Sequence, residues 1–196
     1  MSKIKSIAVF CGSSLGNSAL YEEKAKQLGR YLGSNHYHLV YGGGNIGLMG
    51  IIANAALAAG GEVTGVLPHF LNRKEVGHVE LSNLILVDSM HERKQKIEQL
   101  SGAFIAMPGG FGTLEEVCEM LTWAQLGLHQ KPIGLYNING FYNPLLSQLD
   151  QMVDEGFLKK QNRAMVLMDI EAKNLIQSLQ NYKPVPVIKW LKPDQS

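Results

Sequence analysis

The stretch "AFIAMPGGFGTLEE", Ala103–Glu116, decides how this chain is read. Its first residues are uninterruptedly apolar, the pattern of a strand covered on both faces. Pro108 stops that strand, and Gly109, Gly110 and Gly112 allow positive φ and close approach of backbone to a ligand. Thr113 is positioned to cap the helix that follows, predicted from Thr113 to about Gly127, and the helix N-terminus adds partial positive charge. The unit is therefore an anion cradle, yet Glu115 and Glu116 follow at once. Their placement near a helix start is favourable through the dipole alone, but it also asks for a ligand that carries an anion and wants a carboxylate nearby. No lysine follows the glycines in P-loop spacing, so a monophosphate is the economical anion.

The same strand–glycine–helix unit recurs outward in both directions. "KSIAVFCGSS" reads as a strand ending in small residues, and "ALYEEKAKQLGRYLGS" as an amphipathic helix. "HYHLVYGGG" runs into glycines and then the alanine-rich helix "GLMGIIANAALAAG". "EVTGVLP" and "LILVDS" are further strands, the second leading into the helix "MHERKQKIEQLSG", and "KPIGLYN" precedes a helix over "NPLLSQLDQMVDEG". This β-α order predicts an α/β chain with a Rossmann-like, doubly wound, mainly parallel sheet and helices on both faces. Residues 1–196 are expected to form a single nucleotide-binding domain, with 181–196 an extended Pro-containing tail. In such sheets ligands sit beyond the carboxyl ends of the strands, near the switch in strand order. "CGSS", "YGGGNIG", "VDSMHERK" and "MPGGFGT" all fall at such ends.

Bulk properties narrow the class. With 45% hydrophobic and 18% charged residues, the 196-residue chain has the composition of a compact globule. Eighteen Lys and Arg against seventeen Asp and Glu give a net charge of +1, which offers nothing to nucleic acid or a membrane surface. Cys11 and Cys118 match no metal or redox spacing, and no HExxH or carboxylate–histidine cluster occurs, so neither a metal nor another cofactor is expected. No apolar run suits a signal peptide or a membrane span, so the expectation is a cytoplasmic protein with reduced thiols.

Gly42–Gly47, "GGGNIG", fits G-x-G-x-x-G and could bind phosphate on its amides. A dinucleotide enzyme would need an acidic residue closing the next strand; Glu62 begins that strand instead, which disfavours an NAD-dependent oxidoreductase. In "MHERK", Arg93 can grip a phosphate or carboxylate bidentately and Lys94 can add a point charge, although a solvated basic face would look the same. Ser13 and Ser14 in "CGSS" bring hydroxyls to the same edge.

Taken together, "YGGGNIGLMG", "MHERK", "PGGFGTLEE" and "LTWAQLGLHQKPIGLYNINGFYNPLL" resemble the LOG (Lonely Guy) family of cytokinin riboside 5′-monophosphate phosphoribohydrolases. The family motif P-G-G-x-G-T-x-x-E is met by Pro108, Gly109, Gly110, Gly112, Thr113 and Glu116, and the likeness runs to Asp154–Leu158, "DEGFL". The resemblance implies a Rossmann-like homodimer that splits a nucleoside 5′-monophosphate into free base and ribose 5-phosphate. It implies Arg93 and Glu116 as the catalytic pair, and Gly109–Thr113 as the phosphate turn. Substrate contacts are implied for Ser14, Gly43, Gly44, Glu75, Met90, Lys94, Pro108, Glu115 and Thr122. Members of the family were often labelled lysine decarboxylase, but no lysine here has a pyridoxal-phosphate setting. The alternative is a carrier of a nucleotide or of molybdenum cofactor, in which Glu116 would be dispensable.

Overall fold

The computed structural model describes residues 4–72, 78 and 80–186. Its strands are β1 (Ser6–Phe10), β2 (His38–Tyr41), β3 (Val63–Pro68), β4 (Asn83–Val87), β5 (Ala103–Ala106), β6 (Ile133–Tyr136) and β7 (Val166–Asp169). All are parallel in the order β4-β3-β2-β1-β5-β6-β7. Successive strands step outward one way from β1 to β4, and the other way from β5 to β7. The order therefore reverses between β1 and β5, and the crevice for a ligand opens there.

The helices are α1 (Ala19–Ser34), α2 (Gly47–Ala58), α3 (His69–Asn72), α4 (Met90–Leu100), α5 (Phe111–Leu126), α6 (Asn143–Asp154), α7 (Lys160–Arg163) and α8 (Ala172–Gln180). Alternation along β1 shows how the two faces are covered. Ile7, Val9 and Cys11 pack with Leu28 and Leu32 of α1, Ile52 of α2 and Leu175 and Leu179 of α8. Ala8 and Phe10 point the other way, to Ile97 of α4, Val117 and Met120 of α5 and the flank of α6. Sheet residues buried on both sides explain why these strands read as continuous apolar runs.

Local chemistry sets the helix ends. Ser18 caps α1 by accepting from the Leu20 amide at 3.3 Å. α5 stops where Gly127 turns left-handed, φ 80°, with the Leu128 amide on the Trp123 carbonyl at 2.9 Å. The start of α5 corrects the sequence expectation: the helix begins at Phe111, Gly110 is its cap residue, and no side chain caps it. Thr113 lies inside the first turn and is buried. β7 and α8 were not read from the sequence at all. β7 is a four-residue, half-exposed edge strand that continues the apolar run Ala164–Met168. Of the expected tail, Asn181 ends α8, and residues 182–186 carry neither helix nor strand. The rest of the tail lies outside the described residues. No described helix is long and apolar enough to cross a membrane.

Candidate functional site

Because the strands are parallel, the four turns singled out in the sequence meet at one edge of the sheet, and backbone bonds interlock them. The Gly12 amide donates to the Pro108 carbonyl at 3.1 Å, and the Leu48 amide to the Gly12 carbonyl at 3.0 Å. Gly109 must be glycine for steric reasons: a Cβ there would overlap the Thr113 hydroxyl and come within 2.9 Å of the Gly12 nitrogen. Between the turn after β1 and the Pro108–Gly110 turn lies a pocket of about 300 Å³, which Arg93 and Glu116 do not line. One wall is polar, with Ser13, Ser14, Gly109 and Gly110; the other is apolar, with Leu15, Tyr21 and Phe141.

The uncapped N-terminus of α5 opens beside Gly110. The first intrahelical bond there is the Leu114 amide to the Gly110 carbonyl at 3.1 Å, which leaves the Phe111, Gly112 and Thr113 amides without helical partners. Three free donors on a helix dipole make a site for one compact anion. Only a turn further along α5 stands Glu116, 7% exposed.

Glu116 faces Arg93, which is 8% exposed. The Arg93 Nη1 donates to Glu116 Oε1 at 3.0 Å, and its Nε to the Val66 carbonyl at 3.0 Å. Arg93 owes its place to the start of α4, where Ser89 accepts from the Glu92 amide at 3.1 Å and Glu92 reaches back to the Asp88 amide at 2.8 Å. Gly42 backs the guanidinium so closely that a Cβ would overlap Nη2. Burial raises the Glu116 carboxyl above its ordinary value; Arg93 opposes that shift without cancelling it, and Glu115 adds to it. Burial first, and then the Glu116 charge, push the Cys11 thiol up as well.

The remaining sequence candidates divide. Ser14, Pro108, Gly109 and Gly110 line the pocket. Gly112 lies in the first turn of α5. Gly43 and Gly44 are buried behind the pair, Gly43 at φ 76° with its carbonyl taken by the His78 amide at 3.0 Å. Met90 is exposed at the first residue of α4. Lys94 is not a free point charge, because it bonds Glu115 and also Glu119 at 3.1 Å. Burial alone would lower its ammonium, but those bonds outweigh burial and raise it. Glu115 is thereby committed to Lys94 in this structure. Thr122 is exposed and donates to the Cys118 carbonyl at 2.7 Å. Seven residues on from Glu115, it shares that residue's face of α5 and not the face of Glu116. Glu75 lies outside the described residues. Glu62 precedes β3, at the opposite edge of the sheet from the glycine turns, so it is not placed to meet a dinucleotide ribose there. Gly42, read in the sequence as the first glycine of a phosphate turn, backs the Arg93 guanidinium, while Tyr21 and Phe141 were missed; only packing in three dimensions brings them to the site.

Comparison with known proteins follows this geometry. The family model described as "Possible lysine decarboxylase" matches residues 49–179. The chain is 47% identical to cytokinin riboside 5′-monophosphate phosphoribohydrolase LOG5 of Arabidopsis thaliana, over 94% of this chain and 81% of that one. It is 44% identical to the phosphoribohydrolase LOG of Oryza sativa subsp. japonica, over 99% of this chain and 80% of that one. Among solved structures, the molybdenum cofactor binding protein of Rippkaea orientalis superposes with a TM-score of 0.69 at 24% identity, over 92% and 98% of the two chains. A Moco carrier protein of Chlamydomonas reinhardtii gives 0.67 at 19%, over 90% and 95%. At such identities these two structures share the fold alone. With two thirds of its length inside the family model and close relatives along nearly all of it, this chain belongs to the LOG-type family that carries the lysine-decarboxylase description.

Proposed function

We propose that the protein hydrolyses the N-glycosidic bond of nucleoside 5′-monophosphates, cytokinin riboside monophosphates among them, to free base and ribose 5-phosphate. The relatives' activity supplies the reaction. The observation that carries it here is a buried Arg93–Glu116 pair one turn behind an uncapped, glycine-flanked helix N-terminus. A nucleoside monophosphate needs that combination, since its phosphate and its reacting C1′ are only a few ångströms apart.

In this reading the phosphate rests on the Gly109–Gly110 turn and the free amides of Phe111, Gly112 and Thr113, with Ser14 beside them. As the bond from C1′ to the base breaks, the base takes the electron pair and the ribose gains oxocarbenium character. Ionised Glu116 stabilises that cation or accepts a proton from the attacking water. Water supplies hydroxyl to C1′ and a proton to the base, which balances the reaction without another reactant. Arg93 orients the ribose and keeps Glu116 ionised against its burial. We place Lys94, held by Glu115 and Glu119, in fixing α4 to α5, and Met90 with Phe111, 40% and 93% exposed, on the rim of the site. These exposed apolar groups support a homodimer with its face near the site, and the exposed unpaired Cys118 suits a reducing cytoplasm.

The test of the assignment is Glu116→Gln. Turnover of AMP should fall by about two to three orders of magnitude, while the dissociation constant for AMP stays within a few-fold. Loss of AMP binding in a folded variant would make Glu116 an anchor and not a catalytic group. Retained turnover would leave the carrier-like reading, in which Glu116 is dispensable.

A further inference from the structure

The segment "NINGFYNPLL", Asn137–Leu146, belongs to the family-like pattern and contributes Phe141 to the pocket wall. In the fold it follows β6 and reaches the site from the side opposite Arg93. Tyr142 is 1% exposed, and its hydroxyl donates to the Met107 carbonyl at 2.6 Å. That carbonyl is the last before the Pro108–Gly110 turn. Among the described residues, the other hydrogen bonds to Met107 and Pro108 come from β1 and its turn: the Met107 amide on the Phe10 carbonyl at 2.9 Å and the Gly12 amide on the Pro108 carbonyl at 3.1 Å. Tyr142 thus supplies a third fixed point, from a different element and a different direction.

The phenol is itself held rigidly. The Tyr142 amide donates to Asn137 Oδ1 at 2.7 Å, and Asn137 Nδ2 donates to Asn143 Oδ1 at 2.7 Å. Asn137 is 3% exposed and Tyr142 is buried, so the bond between them is sheltered from water. The Phe141 ring stands edge-on to Tyr142 at 5.1 Å between centroids, and edge-on to Tyr21 at 6.2 Å. Tyr21 and Phe141 form the apolar wall of the pocket. One loop therefore walls the pocket with one ring and grips the glycine turn with the next.

A phenylalanine would fill the same space as Tyr142, so the hydroxyl is not there for packing. We propose that Tyr142 is a positioning residue, whose hydroxyl aims the Pro108–Gly110 turn and with it the free amides at the start of α5. Its effect on affinity rests on the assignment of those amides to phosphate; its effect on the turn does not.

The experiment is Tyr142→Phe in the full chain, with two readouts. Amide hydrogen exchange should speed up by about fivefold or more at Gly12 and Leu114, whose amides are held by the Pro108 and Gly110 carbonyls of the turn, while the strand amides of β1 and β5 are unchanged. The dissociation constant for AMP should rise by about fivefold, and that for inorganic phosphate in parallel, with kcat within twofold. Unchanged exchange at Gly12 and Leu114, or a uniform rise across the sheet, overturns the inference, the second because it would mark a general stability role. Faster local exchange with unaltered AMP and phosphate affinity would keep the positioning role for the turn but overturn its link to binding. If the unsubstituted protein fails to bind AMP at all, the proposed function falls, and the exchange data still decide the role of Tyr142.

Discussion

Arg93 and Glu116 illustrate how much a single pair can reveal once its surroundings are known. In the sequence Arg93 sits among charged neighbours and could be taken for a solvated face. In the structure it is buried, and its contacts are one carbonyl, one carboxylate and one glycine. Breaking such a pair leaves an unpaired buried charge, which is strongly unfavourable. Gly42→Ala tests the packing side of the arrangement: the added methyl displaces the guanidinium, so kcat should fall by at least about tenfold with AMP affinity and fold retained. An unimpaired Gly42→Ala enzyme would show that Arg93 need not occupy this position. pH tests the electrostatic side. Burial raises the Glu116 carboxyl above its ordinary 4.5. If ionised Glu116 does the chemistry, kcat/KM must decline on acidification along a limb whose midpoint lies above 4.5. A midpoint at or below that value would contradict the assignment.

At the scale of elements, α5 carries both the anion site and the carboxylate, and its far end holds a second buried titratable group. His129 follows the Gly127 turn; its Nε2 donates to the Met120 carbonyl at 3.0 Å, and its Nδ1 accepts from the Lys131 amide at 3.2 Å. Burial, the largest influence, lowers it to about 4, with Glu98 opposing. Between about 4 and the ordinary 6.5 the unfolded chain binds the extra proton, so stability drops as pH falls through that window. At about 1.4 kcal/mol per pKa unit, the full loss is on the order of 3 kcal/mol. Glu116, raised by burial, slopes the other way over part of the same range, so the comparison must be differential. His129→Gln should flatten the decline in urea midpoint between pH 7 and pH 4.5, and an equally steep decline in that variant would rule His129 out as its source.

The same scale explains what could be read in advance. Inner strands were legible because burial on both faces leaves no polar positions, and the glycine turns because so few residues fit them. The start of α5 was misplaced because Thr113 is a good cap by type, while the cap residue is Gly110, three residues earlier. β7 and α8 were overlooked although both carry a signature: the apolar run Ala164–Met168 for the strand, and Ala172, Leu175, Ile176 and Leu179 at helical spacing for α8. In the site, motif residues were legible singly, but the commitment of Lys94 to Glu115 and Glu119 was not, since it depends on α4 lying beside α5. Tyr21, Phe141 and Tyr142 could not be placed for the same reason.

For the whole molecule, the order of strands matters most. Reversal between β1 and β5 puts the glycine turns, the free helix N-terminus and the buried pair around one crevice, as the α/β reading required. The proposed dimer also belongs to this scale. Sedimentation equilibrium should return about twice the chain's 21.6 kDa, and Phe111→Glu, which charges the exposed rim, should shift the protein toward monomer if that face is the interface. A dimer indifferent to Phe111→Glu would place the interface elsewhere.

The central claim is that this chain breaks a glycosidic bond and does not merely hold a nucleotide. Purified protein incubated with AMP and, separately, with N6-isopentenyladenosine monophosphate, with free base and ribose 5-phosphate followed by chromatography, tests it most directly. The account predicts base and ribose 5-phosphate in equal amounts from at least one of the two, with the ratio of rates defining the preferred base. Tight nucleotide binding with no base released from either would contradict it.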